Sequence, residues 1–478
     1  MAGPDRTRSD GAERRHGSGL DRRALAITFA VFALFAGLVV FSGGDDGIWA
    51  AWAVGGYAVT ALALWRWPDW LAALLPALIF GLVAPLVWLT LRAPATPDVV
   101  TVTRAASQLV HHGTPYLPKA QLTSWKFYNP YFPAMTVFGL PKAAGLPGLI
   151  GDPRPWLALA SAALLAVAFG LGMPHSVTGC ASCRRSALRY AVLGVASPIL
   201  ALSLAVGITD PPVLALMCLA LALTARRSQP VLAGVAIGVA CAMKVIAWPA
   251  IPVIAALLAK RDGARAAARL CISSLVTAAV LVVAMAPALL TRRSGFIQNT
   301  VLFPLGATPQ QTPAASPLPG HLLADLGPAG RIAAVSLLVG VGLAVAASLV
   351  LRPPAGTRAA TWRLAIGLAL FFALAPAARF GYFAYPGALL GWLAITGRTR
   401  ESAPAATSEQ TPAAEVAPQG APAAGTPAGS TTLVHRVGAG HELTPEGAGP
   451  SPNRAALWIR LRFRRALRRP ATDTASSS

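Results

Sequence analysis

Asp98 follows Pro97 at the head of a polar, aromatic and basic stretch, Pro97–Pro133, set in an otherwise apolar chain. A carboxylate fixed near a helix end at a membrane face suits a general base. It can take the proton from an acceptor hydroxyl as that oxygen attacks an activated sugar. Pro-Asp is also an ordinary helix start, and a solvated first-turn aspartate is the plain alternative. Arg104, Lys119, Lys126 and Lys142 lie in the same region, among Tyr116, Trp125, Phe127, Tyr128, Tyr131 and Phe132. Cations beside aromatic rings suit a phosphate on a lipid stem, or a sugar face stacked on a ring. An interfacial aromatic belt with snorkelling lysines explains the rings well and Arg104 poorly.

Lys244 stands in the apolar run GVAIGVACAMKVIAWP, with no carboxylate close to it in sequence. An unmatched lysine inside a bilayer costs about 2.5–3.5 kcal/mol on insertion scales. A lipid phosphate would match it; snorkelling past Trp248 and Pro249 is the alternative. Arg379, in PAARFGYFAYP beside Tyr382 and Tyr385, presents the same chemistry at the end of two apolar runs. Between Gly295 and Asp325 a Pro-rich segment offers Asn299, Gln310, Gln311, His321 and Asp325, and reads as a lid or substrate-binding loop. His321 is a candidate acid, base or hydrogen bonder. Asp210, before Pro211 and Pro212, is a second candidate carboxylate whose plainer reading is a turn aspartate.

These residues need a scaffold, and composition says which kind. The chain has 478 residues, 55% hydrophobic and 12% charged, with a mean hydropathy of +0.57. A soluble protein could not cover so much apolar surface. The pattern predicts an all-α polytopic membrane protein of about twelve transmembrane helices with two long extracytoplasmic loops. The apolar runs fall near 24–41, 48–65, 70–91, 156–173, 188–207, 211–225, 230–248, 249–259, 267–290, 330–351, 362–377 and 380–396. Residues 249–259 are too short to span unaided and read as half of a broken helix. Residues 131–150, with Pro133, Pro141, Lys142 and Pro147, read as a re-entrant or interfacial element. Ala24–Phe41 is long for a cleaved signal segment and lacks a convincing cleavage site, so it reads as a first span.

A net charge of +22 would suggest nucleic acid in a soluble protein. Here the basic residues gather in the N-terminal segment, in alternate short loops and in the C-terminal tail, which fits the positive-inside rule and anionic lipid instead. That bias places both termini in the cytoplasm and turns the long loops, about 92–155 and 292–329, outward across a cell membrane. The expected organisation is a basic tail at 1–23, a transmembrane domain at 24–396, a disordered Ala/Pro-rich linker at 397–452, and a basic amphipathic membrane-surface helix with its tail at 453–478. Five cysteines are scattered, and Cys180-Ala-Ser-Cys183 with His175 gives at most three zinc ligands. No metal site is expected. The chain contains no Walker A, GxGxxG, GxSxG or HExxH pattern, so nucleotide-driven cytoplasmic chemistry finds no support.

Several elements together resemble the polytopic glycosyltransferases of the C superfamily, most closely family 87, the actinobacterial polyprenyl-phosphate-mannose-dependent mannosyltransferases. The resemblance covers about residues 95–396. Family members carry an outward Asp, a Gly-x-x-Tyr element and an aromatic-Tyr-Pro-Pro element. Their counterparts here are Asp98, His112-Gly113-Thr114-Pro115-Tyr116 and Phe127-Tyr128-Asn129-Pro130-Tyr131-Phe132-Pro133. The family's Gly-rich helix ending in Lys before Pro resembles Gly234–Gly238 with Lys244 and Pro249, and its closing element resembles Arg379–Tyr382 with Tyr385-Pro386. The chain departs from the pattern in three places: Val99–Thr103 lacks the usual Tyr, the Tyr-Pro-Pro is spread out, and two extra spans come first.

The resemblance implies inverting transfer of a sugar, usually mannose, from a polyprenyl-phosphate donor on the outer face, with Asp98 as catalytic base. A glycolipid or cell-envelope glycan is the implied acceptor, as befits cell-envelope biogenesis. No cofactor is expected, a divalent cation being the one open addition. Donor-phosphate binding falls to Lys244, Arg379, Arg104 and Lys126, and substrate contact to Tyr116, Tyr128, Tyr131, His321 and Tyr382. A transporter would use the same helix count and a midplane Lys244, but it commonly shows two similar halves, and no internal repeat is present. A membrane scaffold would leave Asp98, Lys244 and Arg379 individually replaceable.

Overall fold

The computed structural model of the chain describes residues 22–67, 69–172, 181–225, 229–291, 293–310 and 312–401. The expected N-terminal tail up to residue 21, the Cys180/Cys183/His175 group, Gln311, the linker beyond residue 401 and the basic surface helix at 453–478 lie outside the described side chains. Among the described residues the fold is helical, with no strand and a single isolated bridge between Ala315 and Ala378.

In chain order the main helices are α1 (Arg22–Val39), α2 (Gly44–Arg66), α3 (Trp70–Arg92, with a π-helical turn at Ile79–Val83), α4 (Pro97–His112) and α5 (Pro153–Gly172). They continue with α6 (Ala181–Val195), α7 (Pro198–Val206), α8 (Asp210–Ala225), α9 (Pro230–Met243), α10 (Ala250–Asp262) and α11 (Ala264–Met285). The last are α12 (Pro328–Leu351), α13 (Thr357–Leu374) and α14 (Ala384–Glu401). Among the described residues seven helical segments are long and apolar enough to cross a membrane, or eight if bent α6–α7 counts as one span. The expected twelve apolar runs are present as helices, but several fall short of a bilayer's thickness. α8 has 16 residues and α9 has 14. α8 is almost wholly buried among other helices and does not need the length that lipid contact demands, whereas α9 buries most of its residues and leaves Val231, Leu232 and Val235 exposed.

Two interruptions shape the bundle. The run at 188–207, expected as one helix, bends by 65°. Its cause is Pro198, which has no N–H to donate and forces Ser197 into an extended conformation with ψ 145°. The second break follows α9: Lys244 is extended, with φ −149° and ψ 142°, and a 3₁₀ turn leads into α10. Residues 131–150 form a 3₁₀ stretch, Pro133–Gly139, and two four-residue helices, none long enough to cross.

α9 packs on α11 through two glycines four residues apart. A Cβ on Gly234 would overlap Ser273 Oγ, and one on Gly238 would sit 2.5 Å from Ser274 O. Small residues at this spacing let helix backbones approach closely where lipid supplies no hydrophobic drive. Gly238→Ala is therefore expected to lower stability by about 1–3 kcal/mol, measured as thermal unfolding in detergent. Gly342→Ala, where a Cβ meets nothing within 4 Å, is the control and should leave the transition in place. Equal melting of the two variants would contradict the close packing.

Candidate active site

Asp98 sits in the first turn of α4, behind Thr96 as N-cap and Pro97 at the first helical position. Thr96 Oγ1 accepts from Val99 N, Pro97 gives up no needed donor, and the helix dipole favours an acid there. Gly113, left-handed with φ +67°, ends the helix. The chain then returns over α4 in a loop organised by Asn129, which is buried. Its backbone N–H donates to Asn299 Oδ1 (2.7 Å), its Nδ2 donates to Pro115 O (3.2 Å), and its Oδ1 accepts from Tyr131 N (3.1 Å). Phe132 N donates to Met243 O at 2.9 Å, taking up a carbonyl freed where α9 unwinds. Gly139 lets the 3₁₀ stretch lie against α4, since a Cβ there would be 2.5 Å from Val102 O.

These constraints enclose a cavity of about 390 Å³. Its walls include Asp98 and Thr101 from α4, Lys126, Tyr128 and Tyr131 from the first loop, and Ser203, Asp210 and Lys244 from helix ends. Phe303, Pro304 and Thr312–Ala314 of the second loop, together with Arg379 and Tyr382, complete it. Every wall residue comes from a segment that the alternating charge pattern assigns to one side of the bundle. Contacts among the other set of loops stay separate: Arg189 pairs with Asp69 at 3.5 Å, and Lys260 donates to Pro353 O.

Lys244 does have a carboxylate. Its Nζ lies 2.5 Å from Asp210 Oδ1, which also accepts from the Tyr385 hydroxyl at 2.8 Å. The same ammonium stands 4.9 Å above the Tyr131 ring. Tyr131 in turn presents its phenol to the charge of Asp98. Burial first, and then the Asp98 charge, push its phenol well above the ordinary range, so it stays protonated. Tyr382 is raised by burial and by the Asp210 charge, with Arg379 opposing. Arg379 and Lys126 make no ion pair among the described residues, although Lys126 lies over the Trp125 ring at 5.8 Å. The wall thus carries three cations and two carboxylates, and suits an anionic ligand.

Of the expected site residues, the cavity gathers Asp98, Lys244, Arg379, Lys126, Tyr128, Tyr131 and Tyr382. Three others work beside it. Arg104 donates to the carbonyls of Lys126 (2.7 Å) and Tyr128 (3.4 Å), and burial lowers its pKa. Tyr116 donates to Tyr131 O at 2.9 Å. His321 contacts Pro376 O at 3.0 Å and Asp325 at 3.5 Å, bracing the turn that leads to Arg379. Sequence reasoning passed over Asn129 and undervalued Asp210. It also passed over Arg154, buried in α5, which donates to Pro94 O and packs against Gly207. A clue for Asp210 was present: a carboxylate before Pro-Pro opening a wholly apolar helix, with one unmatched lysine a helix away.

The family model for glycosyltransferase family 87 matches residues 130–376, just over half of the chain. No curated protein and no solved structure matches. The matched stretch contains Tyr131, Asp210, Lys244 and the second loop, and ends three residues before Arg379.

Removing one partner of a buried pair strands the other charge. Asp210→Ala should cost about 3–5 kcal/mol of stability, and Asp210→Ala/Lys244→Met should recover most of that loss. Unfolding in detergent measures both, and a double variant no better than the single would contradict the pairing.

Proposed function

Because the chain belongs to glycosyltransferase family 87, we propose that it transfers a sugar, mannose, from a polyprenyl-phosphate donor to a glycolipid or cell-envelope glycan. The chain is a membrane glycosyltransferase; donor, sugar, acceptor and base are our reading. The observation that carries it is the joining of Asp98 with Lys126, Lys244 and Arg379 in one cavity at the ends of apolar helices. A donor with a phosphate head and a hydrocarbon stem needs both environments.

In this scheme Asp98 accepts the acceptor hydroxyl's proton as its oxygen bonds to the anomeric carbon. The carbon–oxygen bond to phosphate breaks, and its electron pair leaves with polyprenyl phosphate. One displacement inverts the anomeric centre. Arg379 and Lys126, whose charges no described carboxylate matches, meet the growing negative charge. Lys244 adds its field while Asp210 and Tyr385 hold it in place. Tyr131 stands beside the base, and Tyr128, stacked on Phe303 at 4.2 Å, supports the sugar-facing wall. The cations supply the phosphate's counter-charge, so the scheme uses no metal. The charge pattern of the loops supports an outward-facing cavity with both termini cytoplasmic.

The test is transfer by purified protein from polyprenyl-phosphate-[14C]mannose to a membrane glycolipid extract. Asp98→Asn should lower kcat by about 10²–10⁴-fold with donor binding retained. Wild-type rates in that variant would move the base elsewhere. Arg379→Ala should raise the donor KM by about 10-fold or more, the loss expected for a charge-assisted contact. An unchanged donor KM would remove Arg379 from the phosphate site.

A further inference from the structure

Arg154, in the first turn of α5, is 1% exposed, so it touches no substrate. Its Nη2 donates to Pro94 O at 3.0 Å. Pro94 belongs to the short link between α3 and α4, which continues into Ala95, Pro97 and Asp98 of the cavity wall. Pro94 and Pro97 have no N–H, and Thr96 gives both its oxygens to the start of α4. Among the described residues, the Arg154 bond is the one hydrogen bond that ties this link to another helix. The rest of the guanidinium is poorly matched. Its Nε lies 3.8 Å from Asp152 Oδ1, beyond hydrogen-bond range, and neither Nε nor Nη1 has a hydrogen-bond partner.

The stem of the same side chain meets a second segment. A Cβ on Gly207 would lie 2.7 Å from Arg154 Cγ and 2.8 Å from Val99 Cγ2. Gly207 is left-handed, with φ +89°, and ends α7; three residues on, Asp210 opens α8. Arg154 is therefore wedged between the segment that carries Asp98 and the turn that leads to the Asp210–Lys244 pair. The arrangement is costly. A buried guanidinium with unmet donors loses hydration that the protein does not replace. A methionine of similar reach would pack against Gly207 without that loss. Local costs of this kind gather at functional sites.

We propose that Arg154 is a positioning residue for the base: it holds the link before α4 against the turn before α8, so that Asp98 keeps its place relative to the donor's phosphate. The role rests on the reading of Asp98 as the base. Lys126 and Arg379 stand on other segments of the wall, so loss of Arg154 separates the chemical step from donor capture.

Arg154→Met keeps the apolar stem and removes the donors. In the transfer assay above, kcat should fall about 10–100-fold, the loss expected when a reacting group is displaced by an ångström or less. The donor KM should stay within about 2-fold of wild type, which marks a group needed in the transition state and not in binding. Arg154→Lys keeps the charge and a donor, and should recover most of kcat. Arg22→Met is the control for a lost arginine. Arg22 also donates to backbone carbonyls, those of Leu64 and Trp67, and also has an unpartnered Nε, but it joins α1 to the end of α2 and is no part of the cavity wall. That variant should keep its kcat. An unchanged kcat in Arg154→Met, an Arg154→Lys no better than it, or an equal fall in Arg22→Met would overturn the assignment. Should Arg154→Met not fold, lactic acid in place of Ala95 makes the Pro94 carbonyl an ester, a weaker acceptor, and leaves every side chain as it was. There kcat should fall about 3-fold or more with the donor KM unchanged, and a wild-type kcat would overturn the role. Absent transfer by the wild type would remove the Asp98 reading and this role with it, whereas wild-type transfer indifferent to Arg154 removes the role alone.

Discussion

A lysine ammonium inside an apolar bundle must be matched, and Asp210 matches Lys244 at 2.5 Å. Much of the site's geometry follows from that pair. It fixes the first residue of α8 against the unwound end of α9, two short helices that bury most of their residues. Tyr385 donates to the same carboxylate oxygen and brings in the start of α14, with Arg379 just before it. The ammonium lies over Tyr131, whose phenol feels the charge of Asp98. Four distant parts of the sequence are thereby held around one cavity by charge and hydrogen bonding, where apolar packing alone would be indifferent to direction.

The break at Lys244 shows how a bundle can tolerate irregular backbone at depth. Unwinding frees carbonyls that lipid cannot satisfy, so they need protein partners. Met243 O receives the N–H of Phe132 from the first loop. That loop is pinned by Asn129 to Pro115 and to Asn299 of the second loop, and Tyr128 reaches Gln310 through its hydroxyl. Both long loops are therefore part of the site's frame.

Much of this was legible in the chain itself. Apolar runs locate the helices because a bilayer admits few alternatives. The alternation of Arg-rich and Arg-poor short loops sorts helix ends into two sets, and the cavity walls draw on one set alone. Lys244 and Arg379 stood out as cations among apolar residues, and Asp98 as a carboxylate at a helix start. What pairs them was not legible, since Asp210 and Lys244 lie 34 residues apart and their meeting depends on helix packing. Asn129 was hidden for another reason: an asparagine in a Pro-rich loop looks like turn chemistry, and only the fold reveals its three partners. His321 misled in the opposite way, because a titratable side chain draws attention wherever it falls, and here it braces a turn. The 65° bend at Ser197–Pro198 could have been read from proline stereochemistry.

The most direct test of the account is a structure of the protein with an unreactive polyprenyl-phosphonate mannoside. The account predicts the phosphonate against Arg379 and Lys126, with the anomeric carbon facing Asp98. A sugar bound away from Asp98, or a phosphonate on the opposite side of the bundle beside Lys260 and Arg189, would contradict it.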